Sequence, residues 1–303
     1  MLSTDEVRTV RERLGQVGVW LGALGGAPID QERAAARRIE ELGYGSLWCG
    51  EIVGAKEAFA HQSILLAATE RIVTGTGIAN IWARHPSAMQ GGGATLGAAY
   101  PGRFVLGIGV SHALIVELSG QTYAKPLAFM ESYLDGMDAA VGFDPPTDIP
   151  VPRLLAALRP KMLDLARDRA DGAHPYFVPP SHTPRAREAL GPDKLLIPEQ
   201  AIVVESDPAE ARRVARGHMK TYLQLPNYVN NLLHLGYGDD DIADGGSDRL
   251  VDAIVAWGDE DAIWARVREH LDGGADHVLL QPLGDVPTAL TQLERLAPVL
   301  LRP

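Results

Sequence analysis

Short apolar runs alternate with longer stretches of helical spacing along most of this chain. Residues 16–21 have the length and character of a buried strand. Asp30 then opens a helical pattern over 31–42, and Gly43 ends it. Residues 46–49 form a second strand, and 58–69 return to helical spacing. The β-branched, glycine-punctuated run 71–79 predicts a third strand. Pro86 stands near the start of a small-residue helix reaching Ala99, and 104–109 predict a fourth strand. Further strands are expected at 153–157, 172–177, 199–204 and 277–281. Helical segments at 160–170, 184–190, 208–223 and 259–273 lie between or beside them. The helical stretch 225–255 exceeds a simple crossover and is read as an insertion near the seventh strand. Eight strands alternating with helices predict parallel pairing through right-handed crossovers. The expected fold is therefore α/β, a (β/α)8 TIM barrel formed as one domain over residues 1–303. A doubly wound open sheet is disfavoured because the first strand-to-helix turn, 22–27, lacks G-x-G-x-x-G spacing.

Composition narrows the chemistry more than the fold. Apolar residues make up 46% and charged residues 22% of the 303, an ordinary globular balance. A formal charge of −11 argues against a non-specific nucleic-acid partner, which needs a basic surface, and an anionic ligand would require local arginines or backbone amides. The lone cysteine, Cys49, excludes an internal disulfide and a cysteine-based metal cluster. The charged N-terminus and the lack of a long apolar run predict a cytoplasmic protein with no membrane partner.

In a barrel, functional side chains come from the residues just beyond each strand. That rule selects Glu51 after the second strand, then Asn80, Trp82, Arg84 and His85 after the third. It adds Ser111 and His112 after the fourth, Arg159 after the fifth, Tyr176 at the sixth, and Glu199 and Gln200 around the seventh.

Several of these segments resemble the luciferase-like oxidoreductase family. The similarity lies in the run Gly75-Thr76-Gly77-Ile78, in Arg84-His85-Pro86, and in Pro101-Gly102-Arg103-Phe104-Val105-Leu106-Gly107-Ile108-Gly109. It continues in Arg159-Pro160-Lys161-Met162-Leu163-Asp164-Leu165-Ala166 and in Ala170-Asp171-Gly172, so that it spans most of residues 15–283. The resemblance implies a cofactor, either FMN or the deazaflavin coenzyme F420, with the spelling closer to the F420-dependent branch. It also implies a non-prolyl cis peptide where Gly77, Ile78 and Ala79 stand. A tricyclic ring needs an apolar shelf, polar partners for its pyrimidine edge and a phosphate site. Ile78 and Ala79 are candidates for the shelf, and Glu51 and Asn80 for the edge. Val110, Ser111, Leu158, Arg159, Pro175 and Tyr176 are candidates for the tail. The family often has two glycines where Leu158 and Arg159 stand, so here Arg159 would replace backbone cradling with charge.

His112 occupies the slot where some deazaflavin-dependent relatives carry an acid, and an imidazole there suits proton exchange coupled to hydride transfer. Ile52 stands where a second histidine is usual. Trp82 and His85 are candidate substrate contacts, while His85 also suits a plain helix-shaping role before Pro86. Gly91-Gly92-Gly93 lacks the lysine of a phosphate loop and predicts close helix packing. Asp239-Asp240-Asp241 reads as a turn or cap, and His174 and His182, which lack a third metal ligand, are expected to line the substrate mouth or stiffen its loop. The expected activity is F420-dependent hydride transfer with a small organic substrate, catalysed by His112 and Glu51. An FMN-dependent monooxygenase and a silent ligand-binding barrel are the alternatives. The resemblance further implies a homodimer.

Overall fold

The computed structural model describes residues 1–301. Thr4–Leu14 (α1) begins the chain under a Ser3/Glu6 capping box and precedes Val17–Trp20 (β1). Ile29–Leu42 (α2), Ser46–Cys49 (β2), Ala58–Ala68 (α3), the paired segments Val73–Thr76 (β3) and Ala79–Asn80 (β4), and Pro86–Ala99 (α4) follow. Phe104–Gly109 (β5) leads through Ala113–Leu118 (α5) and Pro126–Asp138 (α6) to Arg153–Leu155 (β6). Pro160–Arg169 (α7), Gly172–Ala173 (β7), His182–Leu190 (α8), Leu195–Leu196 (β8) and Glu199–Val203 (β9) come next. The remaining helices are Pro208–Tyr222 (α9), Pro226–Leu235 (α10), Asp239–Ile242 (α11), Asp248–Ile254 (α12), Glu260–Asp272 (α13) and Val286–Leu300 (α14). Val255–Trp257 (β10) and Val278–Pro282 (β11) complete the strands.

Every strand pairing is parallel, in the order β10-β9-β11-β1-β2-β3-β5-β6-β7-β8, with β4 beside β5. Because β8 and β9 are one stave interrupted at Ile197-Pro198, this path closes on itself. Ile197 N donates to Ala173 O on one side, and Leu279 N donates to Pro198 O on the other. The result is the expected (β/α)8 barrel. Its staves are β1, β2, β3 with β4, β5, β6, β7, β8 with β9, and β11, while β10 is an added short strand beside β9.

Alternating side chains divide the core into an inside and an outside. Inward-facing Trp48, Val105, Leu154, Leu195, Ile197 and Leu279 fill the barrel, and Val7 and Leu14 of α1 pack against them. Outward-facing Val17, Val19, Leu47 and Leu280 meet Ala36 and Ile39 of α2 and Leu293 and Leu296 of α14. On the opposite side Ile108 and Leu155 meet Met130 and Leu134 of α6. Each such side chain, once enclosed, contributes about 1.5–3 kcal/mol.

The glycine run in α4 serves packing, as anticipated: a Cβ on Gly92 would crowd the Phe59 ring, and one on Gly93 would sit 3.0 Å from Leu106. Asp241 caps its own turn, accepting from Gly238 N at 3.1 Å and from Ser247 Oγ at 2.7 Å. The insertion is composed of α10, α11 and α12, but its last expected residue, Val255, already belongs to β10. No helix among the described residues is long and apolar enough to cross a membrane.

Candidate functional site

The C-terminal ends of the staves open into a cleft of about 1290 Å³. Its floor is the end of the third stave, where the Gly77–Ile78 peptide is cis, at the position the resemblance implied. Three hydrogen bonds hold this segment. Gly77 N donates to Cys49 O at 2.8 Å, Glu51 N to Ile78 O at 3.0 Å, and Trp20 Nε1 to Gly77 O at 2.8 Å. Only glycine fits at 77, because a Cβ there would lie 2.5 Å from Trp20 Nε1 and 3.1 Å from His174 Nε2.

Glu51 lies on the cleft wall, but its carboxylate is turned into the protein. It accepts from Asn80 N at 2.7 Å and Ala58 N at 3.1 Å, and it forms a two-pronged ion pair with Arg84. Both side chains are largely buried, so loss of Glu51 leaves the Arg84 guanidinium only the exposed Glu57, 2.7 Å away, as an anionic partner. Glu51→Ala is expected to lower stability by about 3 kcal/mol, read as a reduced denaturation midpoint, whereas a change under about 0.5 kcal/mol would show the pair to be dispensable.

The other residues expected after the third stave lie away from the cleft. Ala79 and Asn80 are fully enclosed, and Asn80 Oδ1 accepts from Trp82 N at 3.0 Å. Trp82 stacks on Phe129 with ring centres 4.0 Å apart and donates to Val110 O at 2.9 Å. Exposed His85 caps α4, its Nδ1 accepting from Ser87 N at 3.3 Å. Pro175 is buried behind the wall, where its carbonyl accepts from Glu199 N.

Gly77, Ile78, Val110, Ser111, His112, Leu158, Arg159 and Tyr176 do line the cleft. Ser111 has a left-handed backbone, φ 55°, and its carbonyl accepts from Asn227 Nδ2 at 3.2 Å. His112 follows at the head of α5. Its ring packs on Tyr228 of α10 with centres 5.0 Å apart, and its buried Nδ1 has no partner. Burial pushes its pKa down to about 4, so the ring is neutral near pH 7.

Beside it Tyr176 Oη donates to Gln281 Oε1 at 2.8 Å, which leaves Tyr222 Oη to donate to Tyr176 Oη at 2.8 Å. Behind this pair lies Glu199, whose Oε2 accepts from Phe177 N at 3.1 Å. Burial pushes its pKa up to about 8, only partly offset by that bond, so it stays protonated at neutral pH.

At the cleft's outer end Arg159 caps α7, with Lys161 in its first turn, and neither is paired with a carboxylate among the described residues. His182 Nε2 donates to Leu158 O at 2.6 Å and fixes the loop that carries Arg159. At the other end Lys56 donates to Leu24 O and Ala27 O at 2.7 and 2.8 Å and pairs with buried Glu32. His61 sits 3.0 Å from the same carboxylate. Burial opposes its charge, but Cys49 and Glu32 hold its pKa up at about 10.

His174 and, from the insertion, Tyr228 also line the cleft, and so do Trp20, Tyr222 and Gln281, which the sequence reading did not name. Trp20 and Gln281 lie at the ends of the first and eighth staves, so the strand-end rule would have found them had it been applied there.

The luciferase-like monooxygenase family model matches residues 13–277. A Mycobacterium tuberculosis protein described as a coenzyme F420-dependent oxidoreductase is 26% identical over 196 residues, 54% of this chain and 56% of the relative. The chain thus spans little more than half the length of that relative. The 5,10-methylenetetrahydromethanopterin reductase of Archaeoglobus fulgidus is 24% identical over 293 residues, covering 81% of this chain and 87% of the relative. An F420-dependent secondary alcohol dehydrogenase, solved with an F420–acetone adduct, shares the fold at TM-score 0.76 and 18% identity, covering 95% of this chain and 99% of its own.

Proposed function

The chain belongs to the luciferase-like monooxygenase family, and from that membership we propose that it is an F420-dependent oxidoreductase in which His112 exchanges the proton that accompanies hydride transfer. The observation that carries this reading is His112 itself, a neutral imidazole at the head of the fourth stave, in the same cleft as the Gly77–Ile78 floor. The Mycobacterium tuberculosis relative, described as a coenzyme F420-dependent oxidoreductase, supports the cofactor.

The residues present fit a deazaflavin. Gly77 and Ile78 offer a flat apolar floor, and Val110 and Ser111 form an adjacent wall. Arg159 and Lys161 are unpaired cations at a helix N-terminus, suited to a phosphate in a protein of net charge −11. Bound there, the cofactor supplies a two-electron hydride acceptor or donor. With an alcohol as substrate, neutral His112 takes the hydroxyl proton as the carbon gives up its hydride, and charge balances without a second base. In the reverse direction the protonated ring returns it. Glu51, a catalytic candidate by its place after the second stave, instead has its oxygens committed to Arg84 and two backbone amides, so its work is to hold the floor in place.

Fluorescence titrations of the purified protein with F420 and with FMN test the cofactor. Micromolar or tighter F420 binding with much weaker FMN binding is expected. The reverse preference would move the assignment to a monooxygenase, and binding of neither would sink the cofactor argument. Arg159→Glu is expected to weaken F420 binding at least about tenfold at low salt, less at high salt, if Arg159 meets the phosphate. Unchanged affinity would remove it from the site.

A further inference from the structure

Helix α10 belongs to the insertion rather than to the barrel repeat, yet two adjacent residues of it grip the loop that presents His112. Asn227 Nδ2 reaches the Ser111 carbonyl at 3.2 Å, and the ring of Tyr228 covers the imidazole at 5.0 Å. The Tyr123 hydroxyl also lies 3.5 Å from that carbonyl. Ser111 holds a left-handed backbone that a non-glycine residue adopts only when its surroundings enforce it. Tyr228 is anchored in turn, edge-on to Phe177 at 5.2 Å and to Tyr222 at 5.4 Å. His112 itself makes no side-chain hydrogen bond that would orient it, and its Nδ1 is sealed from solvent.

We infer that Asn227 and Tyr228 are positioning residues, which clamp the Ser111–His112 segment and keep water from the Nδ1 edge of the half-buried imidazole. This rests on the reading of His112 as the proton partner, but the clamp is a claim about geometry that can be tested without substrate. Tyr228 of α10 is the ring packed on the imidazole, and Tyr222 and His218 of α9, Tyr123, and Arg159 at the head of α7 line the same cleft. Among the described residues the cleft's one carboxylate, Glu51, is held by Arg84. Solvent exclusion is therefore what separates His112, at about 4, from an ordinary histidine near 6.5.

The experiment is an NMR titration of the histidine ring signals in the full chain, with His112 identified by its disappearance in His112→Asn. In the wild type that signal is expected to stay flat from about pH 8 to 5. In Tyr228→Ala, water reaches the ring and the midpoint is expected to rise by more than about one pH unit, while Tyr228→Phe leaves it unchanged. Asn227→Ala keeps the aromatic packing and serves if Tyr228→Ala does not fold; its expected rise is about half a pH unit or more. A folded Tyr228→Ala protein with a wild-type His112 signal, or an unshifted Asn227→Ala where only that variant folds, overturns the clamp. Loss of the clamp's effect and loss of the proton role are separable, since turnover retained in His112→Ala would refute the latter while these midpoints still reported the former.

Discussion

Replacing His112 by alanine is expected to lower turnover by a factor of about 10² to 10⁴ while leaving F420 affinity within about twofold. The size follows from what the imidazole does in the proposed reaction. Without it the proton must pass to water in a cleft whose walls are largely apolar and aromatic, and where no free carboxylate among the described residues can substitute. Affinity should survive because the floor at Gly77–Ile78 and the cations at Arg159 and Lys161 are untouched. Deazaflavin absorbance under single-turnover conditions measures the chemical step directly. A reduction below about threefold would assign the proton to another group, with the Tyr176–Tyr222 hydroxyl pair the next to examine.

The second large effect is acid lability. His174, His270 and His277 are fully enclosed, and burial pushes their pKa values down to about 4, 3 and 4. The hydrogen bonds explain why each ring must be neutral. His277 Nδ1 donates to Gly15 O at 2.9 Å while its Nε2, 2.7 Å from Ser46 Oγ, accepts that hydroxyl. His270 Nε2 donates to Gln200 Oε1 at 3.1 Å, and its Nδ1 accepts from Thr183 Oγ1 at 2.7 Å. His174 Nδ1 donates to Ile197 O at 2.7 Å, and its other nitrogen is buried without a partner.

The folded value of each ring lies below the unfolded one, near 6.5. The stability these rings contribute is therefore complete above about pH 6.5 and is lost as pH falls toward 4. Three rings together lose about 4 kcal/mol per pH unit inside that window, against a total of about 5–15 kcal/mol for a typical domain. Denaturant titrations at pH 7, 6 and 5 should show a steep fall in midpoint. A midpoint that does not move would mean the rings protonate without cost. His61 acts in the opposite sense: its folded value of about 10 gives stability that is full below pH 6.5 and lost as pH rises toward 10.

The barrel was legible because each stave leaves a local mark: a short apolar run, a turn residue after it, and a helix of matching spacing. Strands expected at 46–49 and 104–109 match β2 and β5 to the residue. Helix α6 carried no comparable mark. It is launched from a left-handed Lys125 and packs with Met130, Leu134 and Met137, a narrow stripe in a segment otherwise of mixed character. α1 was hidden by its charge, since only Val7 and Leu14 are buried, although Ser3 and Glu6 spell a capping box. Half of the site was legible for a similar reason: Ser111 and His112 follow a stave directly. Tyr222 reaches the cleft only through the fold of α9, and nothing in its own neighbourhood of sequence points to it. The third-stave residues failed in the other direction. One residue beyond the floor, the chain turns outward, so that Asn80 and Trp82 are spent on packing and His85 on a helix end.

Closure of the barrel joins the two extremes of the chain, since Val17 of β1 is in register with Val278 of β11. On a ribosome, β1 is synthesised about 260 residues before its partner. During that interval one edge of β1 has no strand to receive its backbone amides, and Leu279, which belongs to the same packed interior as Val7 and Leu14, has yet to be made. The nascent chain thus passes through a long open-sheet stage, and a cell producing it depends on holding that edge apart from its neighbours until β11 has emerged.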